Sequence, residues 1–253
     1  VENLTVRKQV ELAFHNERFR SEESDNRAPL DRWYAAVGAG QEAQLELIRR
    51  NGRGKDVLEY GCADGRLSLL EDRLVQDTGY FQGIDLSDTA IARARATAAR
   101  LKLRHCDFDT MDAEHMTFED NSFDLVYGRG IIHHLDLERS FSEIRRVLRP
   151  GGVASFYEPM GHNPVLNRFR QRTPALRTPD EHPLVVSDFY LARKYFKTVH
   201  TKFYGLTTLA PIVLPESGLR TQLMQACKHV DDWLLRLPIV GRNAWYVLLT
   251  LTK

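Results

Sequence analysis

Between Lys55 and Tyr157 the chain alternates short apolar runs with longer mixed segments, and this alternation limits the possible folds more than any other feature. KDVLEY over 55–60 reads as a strand running into a glycine turn, with a helix from about Arg66. YFQGIDL over 80–86 is the next strand, and Ser87 is placed to cap the alanine-rich helix IARARATAARL behind it. Residues 103–111 form a weaker strand, and FDLVY over 123–127 is the fully apolar kind found where both faces of a sheet are covered. A helix follows over 137–148 with Phe141, Ile144 and Leu148 on one face. Pro150-Gly151-Gly152 stops it and turns the chain into a strand over 153–157. Strands and helices in this rhythm build a doubly wound parallel α/β sheet with right-handed crossovers.

The flanks have a different texture. Residues 1–50 are charged and helical, with apolar positions at Val10, Leu12, Ala13 and again at Leu45, Leu47, Ile48. Half of the ten prolines fall between Pro159 and Pro183, among Arg168, Arg170, Arg172 and Arg177 and the apolar Val165, Leu166, Phe169 and Leu176. That composition describes an ordered excursion rather than a linker. Residues 196–204 read as a strand, a Leu- and Ile-rich segment follows, and 244–252 is the last strand. The expected organisation is one domain over 1–253. It comprises a helical cap over 1–50, a ligand-binding core over 51–158, and substrate-cap insertions over 159–195 and 205–240.

A chain of 253 residues that is 43% apolar and 27% charged can bury a full core, which excludes a disordered protein. The formal charge of +1 gives no reason to expect a nucleic-acid partner. Cys62, Cys106 and Cys227 lie far apart, so neither a disulfide frame nor a zinc site is indicated. No apolar run approaches the ~20 residues of a membrane span, and the charged N-terminal stretch is unlike a signal peptide. A cytoplasmic location is expected.

In an open parallel sheet, ligands sit beyond the carboxyl ends of the strands, where strand order reverses. The first strand ends in Glu59-Tyr60-Gly61-Cys62-Ala63-Asp64-Gly65. Gly61 and Gly65 allow a tight turn and close backbone approach, and the helix start behind them offers N–H donors. Glu59 suits a cationic group such as an amino-acid ammonium. Asp85 ends the second strand, and its carboxylate can accept both hydroxyls of a ribose. A dinucleotide fingerprint needs glycines at 61, 63 and 66, where this chain has Ala63 and Arg66. A P-loop ending is also missing. The spacing favours a ligand without phosphates and disfavours a nicotinamide oxidoreductase.

Five motifs in register resemble a known family. ExGCxxG, GIDLS, DAEHMTFEDNSFDLVY, IIHHL and EIRRVLRPGG stand in the order and spacing of class I S-adenosylmethionine-dependent methyltransferases, closest to the type 11 subgroup, across about residues 50–160 and a final strand. The resemblance implies a Rossmann-like seven-stranded sheet whose last strand is antiparallel, with N-terminal helices and a helical or irregular substrate cap. It implies S-adenosyl-L-methionine as cofactor. Position by position, Glu59, Gly61, Cys62 and Gly65 resemble the loop that holds the methionine portion. Asp85 resembles the ribose ligand, Leu86 an adenine wall, and Asp112 with the Ala113 N–H the adenine-amino contacts. Gly128 and Arg129 resemble the backbone at the cofactor's amino-acid end, and Tyr34 joins the cofactor-binding set from the helical cap. Plainer readings stand beside these: Asp85 and Asp112 as turn caps, Cys62 as a packing residue.

Methyl transfer from a sulfonium is an in-line displacement, so the enzyme supplies alignment and, where the nucleophile must lose a proton, a base. No metal is required and none is expected. His133 and His134 follow the fourth strand and titrate near neutrality, which makes both base candidates. A shared structural role is the alternative, because relatives with unrelated acceptors carry HH there. Glu158, with His162 and Asn163, follows the fifth strand and can orient an acceptor hydroxyl or amine. Asn163-Pro164-Val165 is not the [DN]PP[YF] of nucleic-acid amino-methylases. The acceptor pocket is expected from His15, Trp33, Tyr34, the proline-rich excursion and 205–240. The expected acceptor is a small molecule of specialised-metabolite, lipid or glycan biosynthesis, methylated on oxygen, with carbon or nitrogen as alternatives. An RNA or protein methyltransferase and a non-catalytic cofactor-binding regulator are the rivals.

Overall fold

Alternate residues of the first strand face opposite sides of a sheet, and both sides are dry. Val57 packs with Ile48, Phe81, Ile91 and Leu125 on one face, while Leu58 and Tyr60 pack with Phe141, Ile144 and Phe156 on the other. A strand buried on both faces has no polar side to show, which is why its sequence reads as a continuous apolar run. The computed structural model describes residues 4–20, 31–174, 178 and 181–253. Residues 1–3 and 21–30 of the helical cap, and Leu176 and Arg177 of the excursion, lie outside the described residues.

In chain order the elements are α1 (Val6–Arg20), α2 (Asp31–Tyr34), α3 (Gly38–Gly52), β1 (Asp56–Tyr60), β2 (Tyr80–Asp85), α4 (Asp88–Arg100), β3 (Cys106–Thr110) and β4 (Phe123–Arg129). There follow α5 (Leu137–Val147), β5 (Leu148–Pro159), α6 (Pro164–Arg172), α7 (Val186–Ala192), β6 (Thr198–Tyr204), α8 (Gly218–Leu234), α9 (Pro238–Gly241) and β7 (Tyr246–Thr252). The sheet order is β3-β2-β1-β4-β5-β7-β6. Strands β1 to β5 pair in parallel, and β7 runs antiparallel between β5 and β6. This is the Rossmann-like seven-stranded sheet with an antiparallel last strand. Its order reverses between β1 and β4, so the crevice for a ligand opens at their carboxyl ends.

Capping follows local chemistry. The Ser87 hydroxyl accepts the Ala90 N–H at 3.1 Å to start α4, and Asp136 accepts the Arg139 N–H at 3.0 Å to start α5. Helix α5 buries Leu137, Ser140, Phe141, Ile144 and Val147 at helical spacing. Truncating the fully buried Phe141 would cost about 3–5 kcal/mol.

Two expected elements differ. In place of a helix from Arg66 there is one π turn (Leu67–Glu71), a left-handed Arg73 (φ +51°) and a 3-10 turn (Leu74–Asp77). Leu69 and Leu74 both enter the core beside α4, and a spacing of five does not keep two side chains on one helix face. Leu148 opens β5 rather than closing α5. The ladder pairs Phe123 with Leu148 and then Leu125 with Val153, so Pro150–Gly152 bulge out of register.

Candidate active site

The glycine loop after β1 is built from unusual backbone. Gly61 (φ +78°) and Gly65 (φ +69°) occupy the left-handed region, and a Cβ on Gly61 would come within 2.7 Å of Ile131. Ala63 also lies there at φ +49°, held by its N–H donating to Asp85 at 2.9 Å. The other Asp85 oxygen accepts the Ser87 N–H at 2.9 Å. Burial pushes the Asp85 carboxyl upward, against these two bonds. Glu59 is buried behind the loop, and its Oε2 has no hydrogen-bond partner among the described residues. Burial pushes its carboxyl up to about 7, opposed by Ser68 and Arg129. An orphaned, buried carboxylate oxygen beside a left-handed glycine loop is a seat for a cation, which fits the ammonium of S-adenosylmethionine.

A cavity of ≈ 1400 Å³ opens from this loop. Gly61, Asp85, Leu86, Asp112, Ala113, Arg129, His133, His134 and Tyr34 line it, as do Trp33, Leu166, Phe169, Leu209 and Val213 from the flanks. Glu59, Cys62, Gly65, Gly128 and Glu158 stand behind its wall. Gly128 is packed against Ile131 and the Tyr60 carbonyl, and its own carbonyl accepts from Gln44 at 3.0 Å, so Gly130 and Ile131 meet the cavity instead. Burial raises the Cys62 thiol well above its ordinary value, as expected of a packing residue. Arg129 is tied to Gln44 and Asp72, each at 2.8 Å. Tyr34 stacks on Trp245.

The histidine pair sits on a carboxylate frame. Glu158 is fully buried; Oε1 accepts the Ile131 and Ile132 N–H groups at 2.9 and 3.2 Å, and Oε2 contacts His133 Nδ1 at 2.7 Å. Burial pushes the Glu158 carboxyl up to about 7, against those N–H donors. His134 packs on His133 with ring centroids 4.0 Å apart, and its Nδ1 contacts Glu11 at 3.0 Å. Burial and the neighbouring His133 hold His134 below its ordinary value, against the pull of Glu11. Among the described residues His133, His134 and Glu181 bring one ligating atom each to within 4.8 Å of the others, so this is where an ion would be held. The other two candidates after β5 serve the frame. His162 accepts the Val186 N–H at 3.1 Å, and Asn163 caps α6 through the Val165 and Leu166 N–H groups.

Helix α1 brings residues the motifs do not reveal. Lys8 Nζ reaches Asp112 at 2.6 Å and Glu114 at 2.8 Å, Arg7 pairs with Glu114, and Arg7 also donates to the His134 carbonyl at 2.6 Å. Glu11 is held ionised by His134, His15 and Thr178, which outweigh its burial. Gln44 on α3 donates to the Gly128 and Ser155 carbonyls, joining β4 to β5. A buried polar residue on an otherwise apolar helix face is the only signal the sequence offered for Gln44.

Residues 57–152 match the family model described as a methyltransferase domain. The 2-phytyl-1,4-naphthoquinone methyltransferase of Nostoc punctiforme is 33% identical over 126 residues, covering 47% of this chain and 53% of that protein. The phthiotriol/phenolphthiotriol dimycocerosates methyltransferase of Mycobacterium tuberculosis is 30% identical over 143 residues, covering 54% and 52%. This chain spans about half the length of these curated relatives. Geranyl diphosphate C-methyltransferase from Streptomyces coelicolor, solved with Mg2+, geranyl diphosphate and S-adenosyl-L-homocysteine, superposes with a TM-score of 0.63 at 14% identity, covering 98% of both chains. At that identity the likeness speaks for the fold. These matches and the five motifs liken residues 57–152 to a methyltransferase domain, and the sheet order is that of the class I S-adenosylmethionine-dependent methyltransferase fold.

Proposed function

We propose that the chain transfers the methyl group of S-adenosylmethionine to an oxygen of a small, lipophilic acceptor. The cavity carries this reading. At ≈ 1400 Å³ it exceeds the roughly 300–1,000 Å³ of a single-ligand pocket. Its walls pass from the sheet-end residues Asp85, Leu86 and Asp112 to the apolar Trp33, Leu166, Phe169, Leu209 and Val213. Two ligands fit such a space, and the second meets mainly hydrocarbon. The names of the two relatives point the same way, towards acceptors with long apolar parts.

When bound, S-adenosylmethionine supplies an electrophilic methyl group on a sulfonium. Glu59 and the Gly61 turn hold its ammonium end, Asp85 its ribose hydroxyls, and Leu86, Met111 and Ala113 wall its adenine. His133 takes the proton of the acceptor hydroxyl at Nε2. Glu158 makes this productive by accepting Nδ1–H, which fixes the tautomer and stabilises the imidazolium. The apolar wall excludes water, so the in-line approach is set by packing.

Methyl-labelled S-adenosylmethionine incubated with the protein and separate pools of lipid, RNA and protein tests the reading. Label is expected in an ether-type product of the lipid pool, with loss in His133→Ala. Label in RNA or protein instead would overturn the assignment.

A further inference from the structure

Helix α8 is amphipathic in an inverted sense. Its inner face is fastened by a buried aspartate: Asp231 accepts the Leu206 and Thr207 N–H groups at 3.0 and 2.8 Å and the Thr207 and Thr208 hydroxyls at 2.7 and 3.1 Å. Its outer face carries Leu219, Leu223, Ala226, Val230 and Trp233, continued by Leu237, at alternating spacings of four and three. That spacing draws one stripe along a helix. All six are exposed, and Trp233 is 66% and the nearby Ile239 72% accessible among the described residues. Soluble chains rarely show water so long an apolar run.

The stripe is not the only exposed apolar surface. Val213 stands five residues before α8, and Val165 and Phe169 lie one turn apart on α6. Val213 is 69% and Val165 76% exposed, yet all three line the cavity. They are therefore at its mouth. Charge accompanies both elements. Residues 164–174 and 216–243 hold seven Lys and Arg against three carboxylates, of which Asp231 is buried and Glu216 pairs with Arg220 at 3.4 Å.

We infer that the outer face of α8, with the Val165, Phe169 and Val213 rim, is a docking face for an anionic lipid surface and sets the cavity mouth against it. An apolar stripe ending in a tryptophan and flanked by cations is the chemistry of a helix lying in a bilayer interface. A second copy on the same stripe would bring these cations together, which argues against self-association. No helix among the described residues is long and apolar enough to cross a membrane, and the contact inferred for α8 is with the membrane surface. The purpose of this face, delivery of acceptor from the bilayer, rests on the lipophilic acceptor proposed above.

The test is co-sedimentation with vesicles of phosphatidylcholine alone or mixed with phosphatidylglycerol, for wild type, Trp233→Asp and Ile239→Asp. These side chains are exposed and outside the cofactor machinery, so S-adenosylhomocysteine affinity reports intact folding and should not change. Expected are binding to the anionic vesicles that weakens with salt, a blue shift of Trp233 emission, and at least a tenfold loss of binding in both variants. Failure of wild type to bind, equal binding by the variants, or a dimer in solution that the variants dissociate would each overturn the inference. If vesicles bind as expected while no lipid acceptor is methylated, the acceptor assignment fails and the docking face stands.

Discussion

Replacing Glu59 by Gln should strengthen the empty protein while removing its cofactor. The carboxyl is buried and rises from 4.5 to about 7 on folding. The native state therefore binds the proton more tightly than the unfolded chain. Stability from this group is complete below pH 4.5 and is lost as pH rises to about 7, after which it stays at its low value. At about 1.36 kcal/mol per pKa step, the ionised carboxylate costs about 3 kcal/mol at pH 8. Glu59→Gln removes that cost, because a neutral amide needs no ionic solvation. For a chain of this size about 2–4 °C follows each kcal/mol, so melting at pH 8 should rise by roughly 6–12 °C and at pH 4.5 hardly move. Calorimetric titration with S-adenosylmethionine should show the opposite sign, at least a tenfold weaker complex, since the ammonium loses its counter-charge. Wild-type affinity should also improve from pH 6 to pH 8, with proton release on binding that the variant lacks. A variant destabilised equally at both pH values, or one with unchanged cofactor affinity, would refute the argument.

Three further outcomes follow from the same geometry. Glu158→Gln turns an amide towards His133 and favours the wrong tautomer, so kcat should fall by about 10²–10⁴; steady-state kinetics should show cofactor KM changed less than about twofold, the mark of a base defect rather than a binding defect. Lys8→Met leaves Asp112 and Glu114 facing each other with only Arg7 nearby, at a cost near the lower end of the about 3–5 kcal/mol for a broken buried pair. Amide exchange should then speed up in α1 and stay slow in the sheet. Chelation should leave turnover within about twofold, because displacement at a sulfonium-bound methyl is driven by nucleophile, base and alignment; loss restored by zinc would reassign His133, His134 and Glu181 as metal ligands.

The sheet was legible because its signals are local. Strands β1, β2, β4 and β5 are buried on both faces, and Ser87 and Asp136 cap the helices beside them within three residues. The turn after Gly65 was not legible, because the demand that Leu69 and Leu74 enter one core comes from the sheet beneath and overrides helical spacing. Asp85, Leu86 and Asp112 were singled out by their place after the strands, and they line the cavity. Glu59, Cys62, Gly65, Gly128 and Glu158 are not among the residues lining the cavity, since a motif marks a position along the chain and not which side chains form a wall.

What the motifs could not show is the closure of the site by a segment far away in sequence. Lys8 meets Asp112 across 104 residues, and Glu11 meets His134 across 123. On a charged helix such as α1 these side chains read as solvent-facing, yet both are buried. The helix thus touches the proposed adenine side of the site through Lys8 and Asp112, and through Glu11 it touches His134 beside the proposed base His133. Two functions that stand on separate strands of the sheet are tied to one element outside it. The motif-bearing core can therefore carry an acceptor choice of its own, because the cavity acquires its far walls only where α1, α6 and the segment around α8 meet that core.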